Sequence, residues 1–270
     1  MRVSAAGRSH VGKKRKVNED EILIAPDLGL YVLADGMGGH KAGEVASRMA
    51  VHTMKSYWEG LKKGVRHSWL GPYDEDLEET ANHLINAIAY TNAAIHEAQK
   101  RPAYHRMGST ISAAVVGEDM IWAANVGDSR IYLYDQERLR QVSTDHSLAG
   151  EQRSLGFGDT SGKGLSPLKN LLTRVLGPEE EVRVDLWTLR PNAGDLLMLC
   201  SDGLTNYAEE RAIEAVLDDF SLSLERRVTL LIEEALRGGG GDNVSVILLE
   251  VQEEGRWDKF KRRFRPRSMA

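Results

Sequence analysis

The chain has 270 residues, of which 41% are hydrophobic and 28% charged, and its formal net charge is −5 at pH 7. This composition is that of a soluble globular protein, and the acidic balance argues against a dedicated nucleic-acid-binding protein, whose surface is usually basic. No apolar run reaches the length of a transmembrane helix, and a single cysteine excludes a disulfide framework and a cysteine-based zinc site.

The first half of the sequence predicts a hairpin, two helices and a group of strands. Residues 1–8 lack the apolar run of a signal peptide, so we expect a cytoplasmic protein. Short apolar runs at 21–25 and 30–34 flank a turn sequence and indicate a β-hairpin. Apolar residues recur at helical spacing from 42 to about 60 and from 77 to 99. Residues 109–141 are rich in Ile, Val, Trp and Tyr, which predicts about four strands.

The second half begins with a segment rich in Gly and Ser at 154–168, which predicts a mobile loop. Further elements follow it: strands at 182–189 and 195–200, helices at 209–218 and 223–236, and a last strand at 243–251. No repeat and no break in composition divides the chain. We therefore predict one α+β domain over residues 1–254, in which helices flank stacked antiparallel sheets, and a basic tail at 255–270.

The stretch 34–40 (ADGMGGH) lies between a predicted strand and a predicted helix. Its three glycines leave backbone carbonyl groups accessible. Asp35 beside such a carbonyl gives a set of hard oxygen donors suited to Mg²⁺ or Mn²⁺. The alternative interpretation is an ordinary turn in which Asp35 is the N-cap of the helix.

Three more aspartates, Asp128, Asp202 and Asp242, lie in turns at the ends of apolar strands. Each of these turns by itself is more often an ordinary β-turn. Aspartates that converge at one rim of a sandwich repel one another unless cations lie among them, so convergence would imply a multi-metal site. Arg15 offers a planar fork for a phosphate group, although it lies in the basic run 13–16, where a solvated arginine is the alternative interpretation.

Eight motifs follow one another along the chain: 15–20 (RKVNED), 34–40 (ADGMGGH), 107–110 (MGST), 125–130 (NVGDSR), 145–147 (DHS), 172–177 (LTRVLG), 200–204 (CSDGL) and 241–244 (GDNV). In this order they resemble the bacterial metal-dependent serine/threonine protein phosphatases of type 2C, over roughly residues 5–251. The resemblance implies a four-layer αββα sandwich, two antiparallel sheets with helices on both sides, and a dinuclear metal site at one rim.

The resemblance also implies an activity and its cofactors. The activity is hydrolysis of phosphoserine and phosphothreonine in proteins by a metal-bridged water, in reversal of a cognate Ser/Thr protein kinase. The cofactors are two divalent ions, Mn²⁺ or Mg²⁺, and a third, weakly bound one. The partners are phosphorylated proteins and that kinase, and no nucleic acid.

The family's metal ligands can be placed on this sequence. Asp35 corresponds to the residue that bridges the two ions, and the carbonyl group of Gly36 to a ligand of one of them. Asp202 and Asp242 correspond to ligands of the other ion. Asp128 corresponds to a ligand of the third ion, with Asp202 shared.

Four further residues match positions around those ions. Glu19 and Asp20 would hold metal-bound waters or lie next to them. Arg15 would hold the phosphoryl oxygens, and His40 matches the general acid that protonates the leaving alkoxide. Such assistance is typically worth 10²–10⁴-fold in rate.

One segment departs from the family's pattern. Residues 147–168 are rich in Gly and Ser, where bacterial relatives usually carry a charged segment rich in Glu beside the active site. The resemblance therefore does not extend to substrate selection or to the affinity for a third ion. His146, at the start of this segment, is interpreted as structural.

Three alternatives differ from this function. The first is a catalytically idle relative that binds a phosphopeptide or metal, and the second is a regulator of a sigma-factor pathway with the same fold. The third is a phosphatase with a cysteine nucleophile, which needs Arg six positions after its Cys. Asn206 stands at that position after Cys200, so Cys200 is predicted to be a core residue.

The tail at 255–270 carries seven basic residues, one acid and three aromatic residues. A solvated tail is the simpler interpretation. The alternative is a basic amphipathic segment that docks on an anionic membrane or on an acidic partner.

Overall fold

The computed structural model describes residues 1–38, 42–135, 137–154 and 171–252. His40, the predicted loop from 155 onward and the basic tail therefore lie outside the described residues. In these ranges no helix is both long enough and apolar enough to cross a membrane.

The strands are short and antiparallel. In chain order they are β1 (Arg2–His10), β2 (Asp20–Ala25), β3 (Leu30–Met37), β4 (Gly108–Ser109), β5 (Ile111–Val116), β6 (Ile121–Val126), β7 (Arg130–Tyr134), β8 (Leu139–Gln141), β9 (Asp185–Leu189), β10 (Leu196–Cys200) and β11 (Val244–Gln252). One sheet has the order β1-β11-β10-β7-β8, and the other has the order β2-β3-β5-β6-β9, with β4 paired to β3.

The two sheets pack face to face because their apolar residues alternate between the two sides of each strand. In β3, Tyr31 and Leu33 point between the sheets, where they join residues of the opposite sheet such as Leu199 and Ile247. Val32 on the same strand points outward into a separate core beneath helices. The strands thus bury both faces, and this explains why they are almost uniformly apolar.

Helices cover both outer faces. They are α1 (Ala42–Lys62), α2 (Glu79–Ala98), α3 (Leu148–Ser154), α4 (Asp202–Thr205), α5 (Glu210–Asp218) and α6 (Leu224–Arg237). Helices α1 and α2 pack on the sheet that contains β3, and α5 and α6 pack on the sheet that contains β11. The predicted αββα sandwich is confirmed.

Several element boundaries differ from the sequence-based predictions. Strand β1 was not predicted, because Arg2–His10 is rich in small and polar residues; its pairing with β11 over the whole of both strands supplies the order that its composition does not. The strand predicted at 182–189 begins only at Asp185, and helix α3 was not predicted at all. In each case tertiary pairing or packing decided the boundary.

The connections at one rim of the sandwich carry the predicted site residues. Asp20 is the first residue of β2 and is paired with Asp35 on β3. Asp128 lies just after β6, Asp202 lies just after β10, and Asp242 lies just before β11. The antiparallel order of the two sheets therefore gathers residues from the β2–β3 hairpin and from three later connections at one place.

Candidate metal centre

Two carboxylates face each other across the β2–β3 pair. Asp20 and Asp35 are register partners, so their backbones are neighbours at the rim. The pKa of Asp20 is raised to about 7, chiefly by burial and also by the charges of Asp202 and Asp242, while two hydrogen bonds to its carboxylate act in the opposite direction. Burial, and then the charge of Asp20, hold the pKa of Asp35 well above its ordinary value.

Asp20 is fixed by two serine hydroxyl groups on the opposite sheet. Ser201 and Ser245 donate to its Oδ2 atom over 2.8 Å and 2.7 Å, and Ser201 in turn accepts from the backbone N–H group of Ser245 over 2.9 Å. The other carboxylate oxygen, Oδ1, is buried and has no hydrogen-bond partner among the described residues. A buried oxygen held in place in this way is poised to accept from a ligand or a bound water.

Asp35 is held through its backbone. Its N–H group donates to the hydroxyl oxygen of Thr110 over 3.0 Å, and its carbonyl oxygen accepts from the N–H group of Thr110 over 2.8 Å. Next to it, a Cβ atom on Gly36 would lie 2.0 Å from the carbonyl oxygen of Gly43 and 2.8 Å from that of Glu19. Only glycine fits there, so the backbone of α1 and that of residue 19 approach the 35–36 peptide closely.

Asp128 and Asp202 occupy the turns after β6 and β10. Gly127 has a φ of +111°, which favours glycine and turns the chain so that Asp128 stands at the rim. Burial raises the pKa of Asp128 to about 6, and burial together with the charges of Asp128 and Asp242 raises that of Asp202 to about 7. Asn206, one turn further along, donates to Oδ2 of Asp202 over 2.9 Å.

Arg15 brings positive charge to this site. Its guanidinium donates to Oδ2 of Asp242 over 2.8 Å and lies 4.0 Å from Oε2 of Glu19. The side chain remains 49% exposed, so much of the guanidinium faces solvent. The hydrogen bond to Asp242 raises the pKa of Arg15, which keeps it charged.

Asn243 fixes the loop that carries Arg15. Its amide nitrogen donates to the carbonyl oxygens of Val11 and Val17 over 3.0 Å each, and its amide oxygen accepts from the N–H group of Glu19 over 2.8 Å. The side chain is buried. One amide thus ties both ends of the 11–19 loop to the turn that contains Asp242.

The five aspartates Asp20, Asp35, Asp128, Asp202 and Asp242 form what we call the acidic rim. Neighbouring carboxylate charges contribute to the raised pKa values of Asp35 and Asp202, and a second buried oxygen nearby, Oε1 of Glu19, also lacks a hydrogen-bond partner among the described residues. Excess buried negative charge with unpartnered oxygens is the environment that a divalent cation relieves.

The donor set of the acidic rim fits magnesium or manganese better than zinc. All of its side-chain donors are carboxylate oxygens, which these hard cations prefer. In the ranges that the structure describes, no group of three or more His, Cys, Asp or Glu side chains is gathered that could hold an ion by itself. Backbone oxygen and water would have to complete any shell, which is usual for Mg²⁺, bound in proteins by only one or two carboxylates.

A second group of charged side chains lies beside Asp128, and we call it the paired network: Arg130, Asp145, His146, Arg174 and Asp185. Arg130 makes two hydrogen bonds to the carboxylate of Asp145, over 2.9 Å and 2.7 Å. Arg174 donates to Oδ1 of Asp185 over 2.7 Å, and Nε2 of His146 lies 3.1 Å from Oδ2 of the same carboxylate. Every carboxylate of this network therefore has a partner of opposite charge.

His146 connects the two groups. Its Nδ1 atom accepts from the backbone N–H group of Gly127 over 3.0 Å, so a neutral ring carries its proton on Nε2, which lies 3.1 Å from Oδ2 of Asp185 and 2.9 Å from a guanidinium nitrogen of Arg174. Burial lowers the pKa of His146, which favours this neutral form. The ring thus supports the turn that presents Asp128, in agreement with the structural role expected from the sequence.

Most predicted site residues come together at the acidic rim. Glu19, Arg15 and the carbonyl group of Gly36 lie beside its five aspartates, whereas His40 lies outside the described residues. Cys200 is fully buried, and burial raises the pKa of its thiol to about 12, as expected for a core residue. Sequence reasoning assigned no role to the residues that hold these groups in place: Thr110, Asn206, Ser201, Asn243 and Ser245.

A signal for those residues was present but weak. Ser201 and Asn243 directly adjoin Asp202 and Asp242, and polar residues next to an apolar strand require hydrogen-bond partners once they are buried. Only the packing of the two sheets shows that their partners are Asp20 and the 11–19 loop.

Comparison with known proteins agrees with this geometry. The sequence matches the family model described as protein phosphatase 2C over residues 6–237. It is 35% identical to the serine/threonine phosphatase stp of Listeria welshimeri over 255 residues, which cover 92% of this chain and 97% of the relative.

Solved structures of bacterial serine/threonine phosphatases are also similar to this chain. The serine/threonine phosphatase of S. agalactiae superposes with a TM-score of 0.81 at 32% identity, over 93% of this chain and 100% of that one. The catalytic domain of the phosphatase PstP, in complex with two manganese ions, superposes with a TM-score of 0.73 at 30% identity, over 93% and 99% of the two chains. None of these comparisons favours a catalytically idle relative.

Proposed function

The chain belongs to the protein phosphatase 2C family and is a metal-dependent serine/threonine protein phosphatase, and we propose that the acidic rim and Arg15 are the site at which it hydrolyses phosphoserine and phosphothreonine in proteins. The observation that carries this proposal is the convergence of Asp20, Asp35 and Asp202, with raised pKa values, beside the half-exposed guanidinium of Arg15. A site with excess negative charge attracts cations, and it needs a separate cation to hold an anionic substrate.

The metal ligands in this proposal are those expected from the sequence. Asp35 and the carbonyl group of Gly36 would hold one ion, and Asp202 and Asp242 would hold a second, with Asp35 shared. Two bound divalent ions supply Lewis acidity toward a water and toward the phosphoryl oxygens. Since the charge of Asp128 contributes to the raised pKa of Asp202, the two carboxylates are close enough to interact, and they would hold the proposed third ion.

The protein's own groups position the reactants. Arg15 donates to Asp242 with one nitrogen, and its remaining N–H groups would donate to phosphoryl oxygens in a fixed direction. Asp20, held by two serine hydroxyl groups, and Glu19 would orient water through their unpartnered oxygens. His40 would donate the proton that the leaving serine or threonine oxygen requires.

The wider context of the reaction is also a proposal. We infer that residues 1–254 carry the activity, that a Ser/Thr protein kinase produces the substrates, and that the reaction takes place in the cytoplasm. The first inference is supported by the match to the family model, which covers residues 6–237.

The decisive experiment compares hydrolysis of a phosphothreonine peptide in Mn²⁺ with hydrolysis in EDTA. We expect turnover only with the ion, and we expect loss of turnover in Asp35→Asn. The exposed Asp27 provides a matched control, since Asp27→Asn removes a carboxylate from the surface and should retain full activity. Equal turnover in Mn²⁺ and EDTA would contradict the proposal.

A second experiment tests His40. A proton donor matters for an alkyl leaving group and much less for p-nitrophenolate, which leaves as a stable anion. His40→Ala should therefore reduce kcat on the phosphothreonine peptide far more than on p-nitrophenyl phosphate. Equal losses on both substrates would remove His40 from the acid role.

A further inference from the structure

The connection between α1 and α2 exposes a group of large apolar side chains. Val65 is 49% exposed, Trp69 41%, Leu70 52% and Tyr73 52%. Single exposed apolar residues are normal on a protein surface, but these four lie within nine positions, and the rings of Trp69 and Tyr73 are in contact, with 4.8 Å between their centroids. Such a concentration of exposed apolar side chains favours a partner. We call residues 65–79 the connection patch.

The connection patch is fixed rather than loose. The side-chain oxygen of Asn86 accepts from the N–H groups of Leu70 and Gly71 over 2.8 Å and 3.2 Å, and its nitrogen donates to the carbonyl oxygen of Ser68 over 3.0 Å. The indole of Trp69 stacks on the ring of His83, with 5.0 Å between ring centroids. A partner would therefore meet a preformed surface, at little cost in conformational entropy.

The same patch is strongly acidic. Arg66 is the one Lys or Arg of the segment. Five exposed carboxylates follow Tyr73: Asp74, Glu75, Asp76, Glu78 and Glu79. Among the ion pairs of the described residues, one involves these five, that of Glu79 with His83 at 3.7 Å. The partner that fits this surface has aromatic side chains and several positive charges.

This chain contains such a segment. Residues 255–270, outside the described residues, carry seven basic side chains and the aromatic residues Trp257, Phe260 and Phe264. We propose that this tail binds the connection patch of its own chain, with its aromatic residues against Trp69 and Tyr73 and its cations against the carboxylates at 74–79. The net charge of the tail is opposite to that of the patch, and both segments contain aromatic residues.

The last described residues lie at the end of the sandwich opposite the acidic rim, the end at which the connection patch begins. Gln252 at the end of β11 is paired with Arg2 at the start of β1. The amino group of Met1 contacts the carbonyl oxygen of Glu118, in the turn between β5 and β6. The tail thus begins close to that turn, on the side of the molecule away from the acidic rim.

The connection patch begins near the same turn. The N–H group of Val116, just before the turn, donates to the carbonyl oxygen of Gly29 over 2.8 Å. Lys62, the last residue of α1, donates to the carbonyl oxygen of Asp27 over 3.0 Å. A series of surface contacts therefore leads from Gln252 to the start of the patch, and the eight residues from Gln252 to Phe260 can extend up to about 28 Å.

The test is a disulfide cross-link in the full chain. The variant Tyr73→Cys with Phe260→Cys places one thiol on the patch and one in the tail, while the native Cys200 is fully buried and does not compete. We expect an intramolecular disulfide that forms at low ionic strength and decreases at high salt, because salt screens exposed charges.

A matched control distinguishes binding of the tail to the connection patch from chance encounters between the tail and any nearby surface. Glu225 is exposed on α6, two residues from Arg227, and Arg227 lies 3.8 Å from Glu250 near the end of β11. A thiol at Glu225→Cys is therefore within reach of the tail and lies outside the connection patch. We expect the Tyr73 pair to form its disulfide at least about fivefold faster than the Glu225 pair at low salt, a difference that screening should abolish.

Charge reversal tests the recognition itself. Glu75→Lys with Glu78→Lys should reduce cross-linking by Tyr73→Cys to the control rate, and Lys261→Glu with Arg262→Glu in the same chain should restore it. Equal rates for the two cysteine pairs, or failure of the charge swap to restore the rate, would overturn the proposal. Disulfide-linked dimers in place of intramolecular links would also overturn it, in favour of the tail of a second copy.

Discussion

The acidic rim and the paired network are both clusters of partly buried carboxylates, and they adjoin each other at Asp128, yet their charges are arranged in opposite ways. In the paired network, hydrogen bonds from His146 and Arg174 outweigh burial and hold the pKa of Asp185 below its ordinary value. In the acidic rim, burial and mutual repulsion raise the pKa values of Asp20 and Asp202 to about 7.

The negative charges of the paired network are neutralised by the protein's own side chains, whereas those of the acidic rim require an added cation. The protein supplies the counter-charges of the paired network, which therefore acts as a support for neighbouring turns. At the acidic rim, Arg15 gives one positive charge against five aspartates. Buried charge of one sign is costly, and its persistence in a fold points to function.

The largest expected effect comes from removing one carboxylate of the acidic rim. Asp35→Asn removes the charge proposed to be shared by two ions, and we expect kcat to fall by at least about 10³-fold, in line with the loss of other strong electrostatic groups in active sites. The fold should persist, as judged by circular dichroism, because the backbone bonds between Asp35 and Thr110 remain. Activity within tenfold of the original at saturating Mn²⁺ would contradict the shared role.

Substitutions in the paired network should change the free energy of unfolding rather than the rate of catalysis. Arg130→Met leaves the carboxylate of Asp145 buried without its bidentate partner, which should lower the free energy of unfolding by about 3 kcal/mol. Adding Asp145→Asn should recover part of that loss, because the unpaired charge disappears. Denaturant unfolding of the two single variants and the double variant measures this coupling, and additive effects would show that the pair is not coupled.

A pH series can compare the two regions directly. The pKa values of Asp20, Asp128 and Asp202 in the folded protein, about 6 to 7, lie above those of an unfolded chain, so the folded protein binds more protons. In EDTA, stability should therefore fall as pH rises from about 5 to 7.5, by about 1.4 kcal/mol or more. Saturating Mn²⁺ should reverse the trend.

The opposite sign is expected of Asp185, whose pKa is lowered. Its contribution is present near neutral pH and is lost only as pH falls below about 4. Guanidinium unfolding at several pH values measures both trends. A stability in EDTA that rises steadily from pH 5 to 7.5 would show that the acidic rim carries no excess charge.

The smallest effect is expected at Arg15. Since it would contact phosphate in the bound ground state as well as in the transition state, Arg15→Ala should raise KM for a phosphopeptide by about tenfold, with a smaller change in kcat. Lys14→Ala, which removes an exposed cation of the same loop, is the control. A loss confined to kcat would instead indicate that Arg15 acts in the transition state alone.

Much of the fold was predictable from local pattern. The helices at 42–62 and 79–98 and the hairpin of β2 and β3 agree with the predicted segments, because helical periodicity and turn signals are properties of neighbouring residues. Strand β1 was not predictable in this way, since its order comes from pairing with β11, more than 230 positions later.

The sequence by itself determined which residues are chemically capable: the four motif aspartates, Arg15 and the glycine that permits close approach at position 36. Only the tertiary structure decided which charges are compensated. Asp128 follows the apolar strand β6 and Asp145 lies four residues after β8, and local sequence does not show which of the two carboxylates is paired with a cation. The sheets place Arg130 against Asp145, whereas the charge of Asp128 contributes to the raised pKa of Asp202. The strength of an electrostatic interaction depends on distance and burial, and both are set by strand pairing across the whole chain.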